Sequence, residues 1–239
     1  MTRANYVQRY VTDCFSLILM LHYFTITTTI ELLCFLVALF CLSKDYVSVW
    51  RYFNVFLLLT CITELIGIYL KRNHHLQNAW VYNILMVFEI GFVNLIFLKI
   101  NRKHPKFKTI TLYVGILFIV LYTYDILTHG IFVYNNLTYT VMSVILVIYP
   151  LFYYFTLMNN DDYVEIGYSA EFWWVTGALF YYFGETACDL FYDKLQAVYI
   201  TRLHPLTYYI YIVLNVLLYG FWSYSFICRR WLEKGLETR

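Results

Sequence analysis

The feature that most constrains this fold is a series of long apolar blocks separated by short connections that carry the charges. The blocks cover roughly 24–42, 50–70, 78–99, 108–128, 135–157, 168–191 and 205–228. A bilayer core needs about 20 apolar residues per helical span. Transmembrane β-strands would instead alternate in polarity over about 10 residues. The pattern therefore predicts an all-α, polytopic membrane helix bundle with about seven transmembrane helices in a single domain, 1–239.

The composition points to the same class of protein. The 239 residues are 62% hydrophobic and only 13% charged, whereas a soluble domain carries about 25% charged residues. The lipid bilayer is therefore the main expected partner, and the cell membrane, here a bacterial inner membrane, the expected location. The net charge of +2 gives no basis for nucleic-acid binding. The six cysteines form no C-x-x-C pair and are typical of small apolar packing residues.

The N-terminal region is longer than one span requires. Residues 11–42 form one mostly apolar stretch that would be about 48 Å long as a helix, against a bilayer core of about 30 Å. Two full spans do not fit into that length. Residues 1–23 are therefore predicted to form an interfacial helix or an extension of the first span.

The positions of the 17 Lys and Arg residues predict the orientation. With the N-terminus outside, six of them are external and eleven are internal. Five of the internal ones lie in Lys99–Lys108, between the third and fourth spans. Basic residues of short loops stay on the cytoplasmic side. We therefore predict an external N-terminus and a cytoplasmic C-terminus.

Four acidic residues inside the predicted spans are the main candidates for a functional site. They are Glu31, Glu64, Glu89 and Glu185. A charge at the centre of a membrane helix costs about 2.5–3.5 kcal/mol, and no Lys or Arg lies deep in any span to offset it. Counted along the helices, Glu31, Glu64 and Glu185 share a level roughly 10 Å below the outer surface, with Glu89 nearer the midplane.

Helical phase adds two polar residues to these acids. Tyr182 shares a face of the sixth span with Glu185, and Asn215 lies on a tyrosine-rich face of the seventh. We predict that the four glutamates, Tyr182 and Asn215 bind a small polar or cationic ligand in an outward-facing cavity. The alternative is that each acid only hydrogen-bonds to a neighbouring helix, which stabilises membrane bundles by about 0.6 kcal/mol per bond.

A divalent metal site is a second alternative. Asp125 and His129 are four residues apart, and Asp189 and His204 also lie near the predicted outer side. Two residues at this spacing can bind one metal ion. Most of the other histidines, His22, His74 and His75, are also near the outer side, which suggests an acidic vestibule rimmed by imidazoles.

Known catalytic and cofactor motifs do not occur. Serine-hydrolase, P-loop and dinucleotide-binding motifs are missing, and the seventh span contains no Lys for a retinal Schiff base. The topology is similar to that of seven-helix zinc hydrolases such as alkaline ceramidases, but the H-x-x-x-H of their last helix is missing. These observations favour a protein that is not an enzyme and that binds no retinal.

Several short motifs carry a resemblance to a known group. They are Thr63-Glu64-Leu65, Tyr82-Asn83 with Glu89, Asp125 at the end of the fourth span, and Phe172-Trp173-Trp174 through Glu185. In these residues and in layout the chain resembles uncharacterised seven-helix integral membrane proteins of Bacteroidota. The resemblance implies a seven-helix membrane bundle and carries no activity with it.

Taken together, the patterns favour a receptor-like or sensory membrane protein. Its signal would pass to a cytoplasmic signalling partner through Arg102–Lys108 and the C-terminal tail from Arg229. Three alternatives stay open. They are a metal-dependent intramembrane hydrolase that uses acids with His129 or His204, a proton or cation pathway along the glutamates, and an effector that acts as a homo-oligomer.

Overall fold

The computed structural model describes residues 25–45, 47–73, 77–102, 104–159, 165–200 and 204–237, and these residues are almost entirely helical. The helices are α1 (Ile26–Leu42), α2 (Ser48–Asn73), α3 (Ala79–Ile100), α4 (Pro105–His129), α5 (Asn136–Met158), α6 (Ala170–Leu190), α7 (Tyr192–Ala197) and α8 (Leu206–Glu237). The helix or extension predicted in residues 1–23 lies outside the described residues.

Each predicted apolar block corresponds to one long helix, and almost all bounds agree within three residues. The exception is the last helix, which was predicted to end at 228 and instead continues to Glu237. Its extra residues, RRWLEKGLE, are mostly good helix formers, and the first two of them bond to other parts of the bundle. The short helix α7 was not predicted.

The helices have the length and surface of a multi-pass membrane protein. Five are long and apolar enough to cross a bilayer, namely Val49–Arg72, Ala79–Ile100, Lys106–His129, Asn136–Met158 and Leu206–Leu232. Helix α1 is apolar but has only 17 residues, and α6 carries three acids within its 21 residues. Large apolar side chains such as Phe40 and Leu127 are 73% and 80% exposed, which suits a surface in contact with lipid.

Helices α6 and α8 form the most extensive contact in the bundle, and α8 also packs along α1. Helix α5 lies against α6, and α2 lies between α1 and α3, whereas α4 packs only lightly on α3 and α5. Two glycines of α6 allow the close approach of α8. A Cβ added at Gly177 would lie 3.0 Å from the Cβ of Phe221, and one at Gly184 would overlap Leu214 Cδ2. Small residues commonly line such contacts in membranes.

The two ends of the bundle differ in charge. One end carries the connections after α1, α3 and α5, and we call it the basic end. Its Lys and Arg residues within the described ranges are Lys44, Arg51, Lys99, Arg102, Lys106, Lys108, Arg229, Arg230 and Lys234. The opposite end, which we call the carboxylate end, carries the connections after α2, α4 and α6. Its corresponding residues are Lys71, Arg72 and Lys194.

A buried ion pair closes the basic end. Arg229 of α8 donates from Nε to Asp45 Oδ2 at 2.7 Å and from Nη2 to Oδ1 at 3.3 Å. The backbone N–H of Val47 also donates to Asp45 Oδ1 at 2.6 Å, and the guanidinium lies 5.6 Å from the ring centroid of Trp50. Next to it, Arg230 donates to the carbonyl oxygen of Phe40 at 2.7 Å. These contacts hold α8 to α1 and to the α1–α2 connection.

The interior toward the basic end is filled by aromatic rings, which we call the aromatic layer. It consists of Phe53, Phe97, Trp174, Trp222 and Phe226, all 0–2% exposed. The rings meet mainly edge to face or stacked, with centroids 5.1 Å apart for Phe53 and Phe226, 5.1 Å for Phe97 and Trp174, and 5.8 Å for Trp174 and Trp222. Such pairs contribute about 0.5–1.5 kcal/mol beyond the area that they bury.

Candidate functional site

A cavity of about 260 Å³ lies in the bundle between the aromatic layer and the carboxylate end. Five of the six residues predicted to bind a ligand line it. They come from five different helices and are Glu31, Glu64, Glu89, Tyr182 and Asn215. Glutamates that lie far apart in the sequence therefore face one shared space, as the prediction of a common cavity requires.

The sixth predicted residue, Glu185, lies just behind the cavity wall. The hydroxyl group of Tyr139, which lines the cavity, donates a hydrogen bond to Glu185 Oε1. Glu185 is only 2% exposed. Its second carboxylate oxygen has no hydrogen-bond partner in the described part of the chain. A ligand in the cavity would reach this carboxylate only if Tyr139 moved aside.

Each of the four glutamates accepts a hydrogen bond from a tyrosine on another helix. The bonds are Tyr219 to Glu31 at 2.5 Å, Tyr82 to Glu64 at 3.3 Å, Tyr182 to Glu89 at 2.9 Å, and Tyr139 to Glu185. Bonds of this kind hold membrane helices together. The hydrogen bonds expected if the acids only stabilise helix packing are therefore present. The glutamates nevertheless surround a cavity, and packing alone does not require one.

Two buried polar atoms at the cavity have no hydrogen-bond partner among the described residues. They are Glu31 Oε2 and Trp222 Nε1. Both residues line the cavity, and they are 4% and 2% exposed. A buried polar atom without a partner costs about 1–3 kcal/mol, and more when it is charged. An acceptor and a donor therefore stay unsatisfied at a cavity that has room for a small molecule.

The groups of the site that can ionise most readily are acids, which carry negative charge in their ionised form. Glu31 lies close enough to Glu64 and Glu89 for their charges to interact, and Glu185 lies similarly close to Glu89. Among the described residues, no Lys, Arg or His lines the cavity. Charges of one sign in a poorly screened interior attract a counter-ion. The arrangement therefore favours a cation over an anion.

The four residues predicted as a weaker metal site are not brought together. Asp125 Oδ2 accepts bonds from the backbone N–H and the hydroxyl of Thr138, at 2.8 and 2.6 Å, and so caps the first turn of α5. Only His129 lies near it, with Nδ1 3.9 Å from Asp125 Oδ1. Asp189 accepts a bond from Thr140 at 3.1 Å, and His204 stacks on Tyr208.

No other set of metal ligands replaces them. Within the described ranges, no group of three or more His, Cys, Asp or Glu side chains is placed to hold a metal ion. Three histidines of the predicted rim, His22, His74 and His75, lie outside those ranges. The metal-dependent hydrolase therefore gains no support from the site.

Several functional residues were not predicted. Seven tyrosines line the cavity, and of these only Tyr182 was predicted to bind a ligand. The other six are Tyr82, Tyr134, Tyr139, Tyr181, Tyr211 and Tyr219. Tyr139 had a detectable signal, because it starts a row on α5 that continues at helical spacing through the buried Met142, Leu146 and Tyr149. Tyr134 lies in a connection, where periodicity gives no signal.

No family model matches the chain, and no curated protein or solved structure is similar to it. The resemblance to membrane proteins of Bacteroidota stays a prediction. The function has to be argued from the cavity and from its place in the bundle.

Proposed function

We propose that this protein is a receptor-like membrane protein that binds a small polar or cationic ligand in the cavity. The observation that carries the proposal is the convergence of Glu31, Glu64 and Glu89, from three helices, on one cavity of about 260 Å³. Pockets for drug-sized ligands occupy about 300–1,000 Å³. The ligand is therefore smaller than a typical drug molecule.

The proposal includes seven membrane crossings, with the N-terminus outside and the cavity open toward the external side. Helix α1 and helix α6 cross together with the five long apolar helices, because both pack along α8 through much of the bundle. The asymmetry of Lys and Arg between the two ends supports a cytoplasmic basic end. Fusions of alkaline phosphatase and of green fluorescent protein to the C-terminus test this orientation. Phosphatase activity with no fluorescence would contradict it.

The aromatic layer favours a ligand site over a proton or cation pathway. Trp222 lines the cavity and stacks on Trp174, so the aromatic rings form the wall of the cavity that faces the basic end. A pathway needs polar groups or water on both sides of its central site. The carboxylates supply such groups only toward the carboxylate end, and the pathway is therefore the second candidate.

The same helices that form the cavity reach the basic end. Helix α8 carries Tyr219, which bonds to Glu31, and Arg229, which bonds to Asp45. Helix α1 carries Glu31 and leads directly into the connection that contains Asp45. A ligand that binds Glu31 acts on the carboxylate that Tyr219 also contacts and so changes how α1 and α8 pack. We propose that this change alters the Asp45–Arg229 pair and exposes a signalling surface.

The proposed signalling surface differs in one respect from the sequence-based expectation, in which the C-terminal tail from Arg229 contacts the partner. Arg229 and Arg230 bond within the bundle, so they are not available to a partner in this conformation. In our proposal, a cytoplasmic partner contacts Arg102–Lys108 and the part of α8 beyond Leu232. Ligand binding controls whether Arg229 and Arg230 join that surface.

Hydrogen–deuterium exchange of the full chain in lipid nanodiscs tests the proposal. The probes are butylammonium chloride, tetramethylammonium chloride, 1-butanol and sodium butyrate, which differ in charge but are all small. We expect at least one of them to slow exchange around the cavity and to change exchange in residues 43–47. A matched variant, Leu85→Trp, fills the cavity from α3 and should abolish the response. If none of the probes changes either region, the receptor proposal fails.

A further inference from the structure

The walls of the cavity are largely aromatic. Tyrosine rings from α3, α5, α6 and α8, together with Phe56 and Trp222, surround the space between the glutamates. Aromatic faces attract cations with about 0.5–2 kcal/mol per contact, and more when water is excluded. A cavity that combines such rings with carboxylates is suited to an organic cation that has both charge and apolar surface.

The oxygen of Glu31 that has no hydrogen-bond partner among the described residues places a second requirement on the ligand. Glu31 Oε1 accepts from Tyr219, while Oε2 is buried and has no donor among the described residues. When Glu31 is ionised, a ligand that satisfies Oε2 must donate a hydrogen bond. A quaternary ammonium carries no N–H, and so it meets the charge requirement without satisfying this oxygen.

A bare metal ion fits this site less well. Calcium takes about 6–8 oxygen ligands at about 2.3–2.6 Å, and the described carboxylates are not grouped for such a shell. The carboxylates are instead spread around the cavity, with each one held by its own tyrosine.

These observations together point to one class of ligand. We infer that the cavity binds a small protonated amine that carries at least one N–H and an apolar chain or ring, with Glu31 as its counter-ion. The ammonium donates to Glu31 Oε2, and the apolar part lies against the tyrosine rings and Trp222. This inference rests on the proposed function, because it assigns the ligand of the same cavity.

Thermal unfolding and calorimetric titration of the full chain in nanodiscs at pH 7 test the inference. Butylammonium is compared with 1-butanol, which has the same chain without the charge, with tetramethylammonium, which has the charge without an N–H, and with calcium chloride. Alkylamines, like Lys, are protonated at this pH. We expect butylammonium to bind at least about tenfold more tightly than each of the other three, because a hydrogen bond to a charged group contributes about 1.5–3 kcal/mol.

Three substitutions separate the role of Glu31 from general damage to the fold. We expect Glu31→Gln to weaken butylammonium binding by about 10- to 100-fold, whereas Glu165→Gln, at an exposed site near the basic end, should leave it unchanged. Tyr219→Phe keeps the carboxylate and removes only its hydroxyl donor, so this variant should still prefer butylammonium to 1-butanol. Unfolding without probe shows whether each variant is folded.

The outcomes distinguish this inference from the receptor proposal. If 1-butanol or calcium binds as tightly as butylammonium, or if folded Glu31→Gln binds butylammonium like the wild type, the amine assignment is wrong. The cavity would still be a ligand site in the first case. If butylammonium binds with the expected selectivity but exchange in residues 43–47 does not change, the assignment stands and the receptor proposal fails.

Discussion

The two halves of the bundle interior are formed by the same helices, but one half is tightly packed and the other contains a cavity. Toward the basic end, α2, α3, α6 and α8 bring together the rings of the aromatic layer, which are 0–2% exposed. Toward the carboxylate end, the same helices supply Glu64, Glu89, Glu185 and Tyr219 around a cavity of about 260 Å³. Membrane helices associate mainly through close packing. The aromatic layer therefore stabilises the bundle, whereas the other half is less closely packed around the cavity, where we propose that a ligand binds.

We expect substitutions in the two halves to lower the free energy of unfolding by different amounts. Substitutions at the basic end and in the aromatic layer should cost several kcal/mol. Substitutions of the tyrosines around the cavity should cost little, because those bonds hold a site more than they hold the fold. The four predictions below test this difference, from the largest expected effect to the smallest.

The largest effect is expected for Asp45→Ala. This change leaves the guanidinium of Arg229 in a mostly buried position without its carboxylate. Breaking a buried ion pair from one side costs about 3–5 kcal/mol, so the free energy of unfolding in nanodiscs should fall by that amount. The double variant Asp45→Leu with Arg229→Met removes both charges and should recover much of the loss. A loss below about 1 kcal/mol for the single variant would show that the pair is solvated.

Phe53→Ala should have the next largest effect. Phe53 contacts Phe92, Trp174, Trp222 and Phe226, and its removal leaves a void that these rings cannot fill. A loss of about 3–4 kcal/mol in the free energy of unfolding is expected. Phe155→Ala is the matched control, because Phe155 is 66% exposed on the outer surface of α5. Equal losses for the two variants would remove the distinction between the aromatic layer and the lipid-facing surface.

Gly67→Ala tests how closely the cavity wall is fitted. A Cβ at position 67 would lie 2.5 Å from Tyr82 Oη, so the ring must move away from Glu64 and break their hydrogen bond. We expect a loss of about 1 kcal/mol in the free energy of unfolding and altered hydrogen exchange in α2 near the carboxylate end. Gly91→Ala on α3 has nothing within 4 Å of its new Cβ and should be neutral or stabilising. No difference between the two alanine variants would count against the Tyr82–Glu64 contact.

Tyr182→Phe should have the smallest effect. It removes the hydroxyl that donates to Glu89 at 2.9 Å, and hydrogen bonds between membrane helices average about 0.6 kcal/mol. Tyr113→Phe, at an exposed position of α4, is the control for the loss of a hydroxyl. A loss above about 2 kcal/mol for Tyr182→Phe, measured by equilibrium unfolding, would mean that the glutamates serve mainly to hold helices together.

The helices could be predicted well from the sequence because hydropathy and length determine where a chain enters and leaves lipid. The shared depth of Glu31 and Glu64 was informative for a similar reason, since rise per residue is constant along a helix. Tyr182 and Asn215 followed from helical phase. Each of these inferences uses the geometry of a single helix and requires no knowledge of the helices that pack against it.

Contacts between helices could not be predicted in this way. Asp45 sits beside Lys44 and looks like an ordinary solvated loop residue, but its partner Arg229 lies 184 positions further along the chain. Asp125 and His129 do share a helix face, as a metal pair would, yet that face meets the start of α5, where Asp125 accepts from the backbone N–H and the hydroxyl of Thr138. The spacing does place Asp125 and His129 on one face, but the sequence does not show that this face packs against α5. The metal prediction therefore gained no support.

The light packing of α4 affects the order in which the bundle comes apart. Hydrogen bonds connect α4 to its neighbours, among them the bond from Tyr122 to the carbonyl of Asn83 at 3.1 Å and the bond from the backbone N–H of Thr138 to Asp125. Most of the apolar surface of α4 is not covered by the other described helices. Cooperative units with few contacts open at the lowest free energy. On gradual heating, α4 should therefore separate from the remaining helices first, and it would leave a lateral gap between α3 and α5.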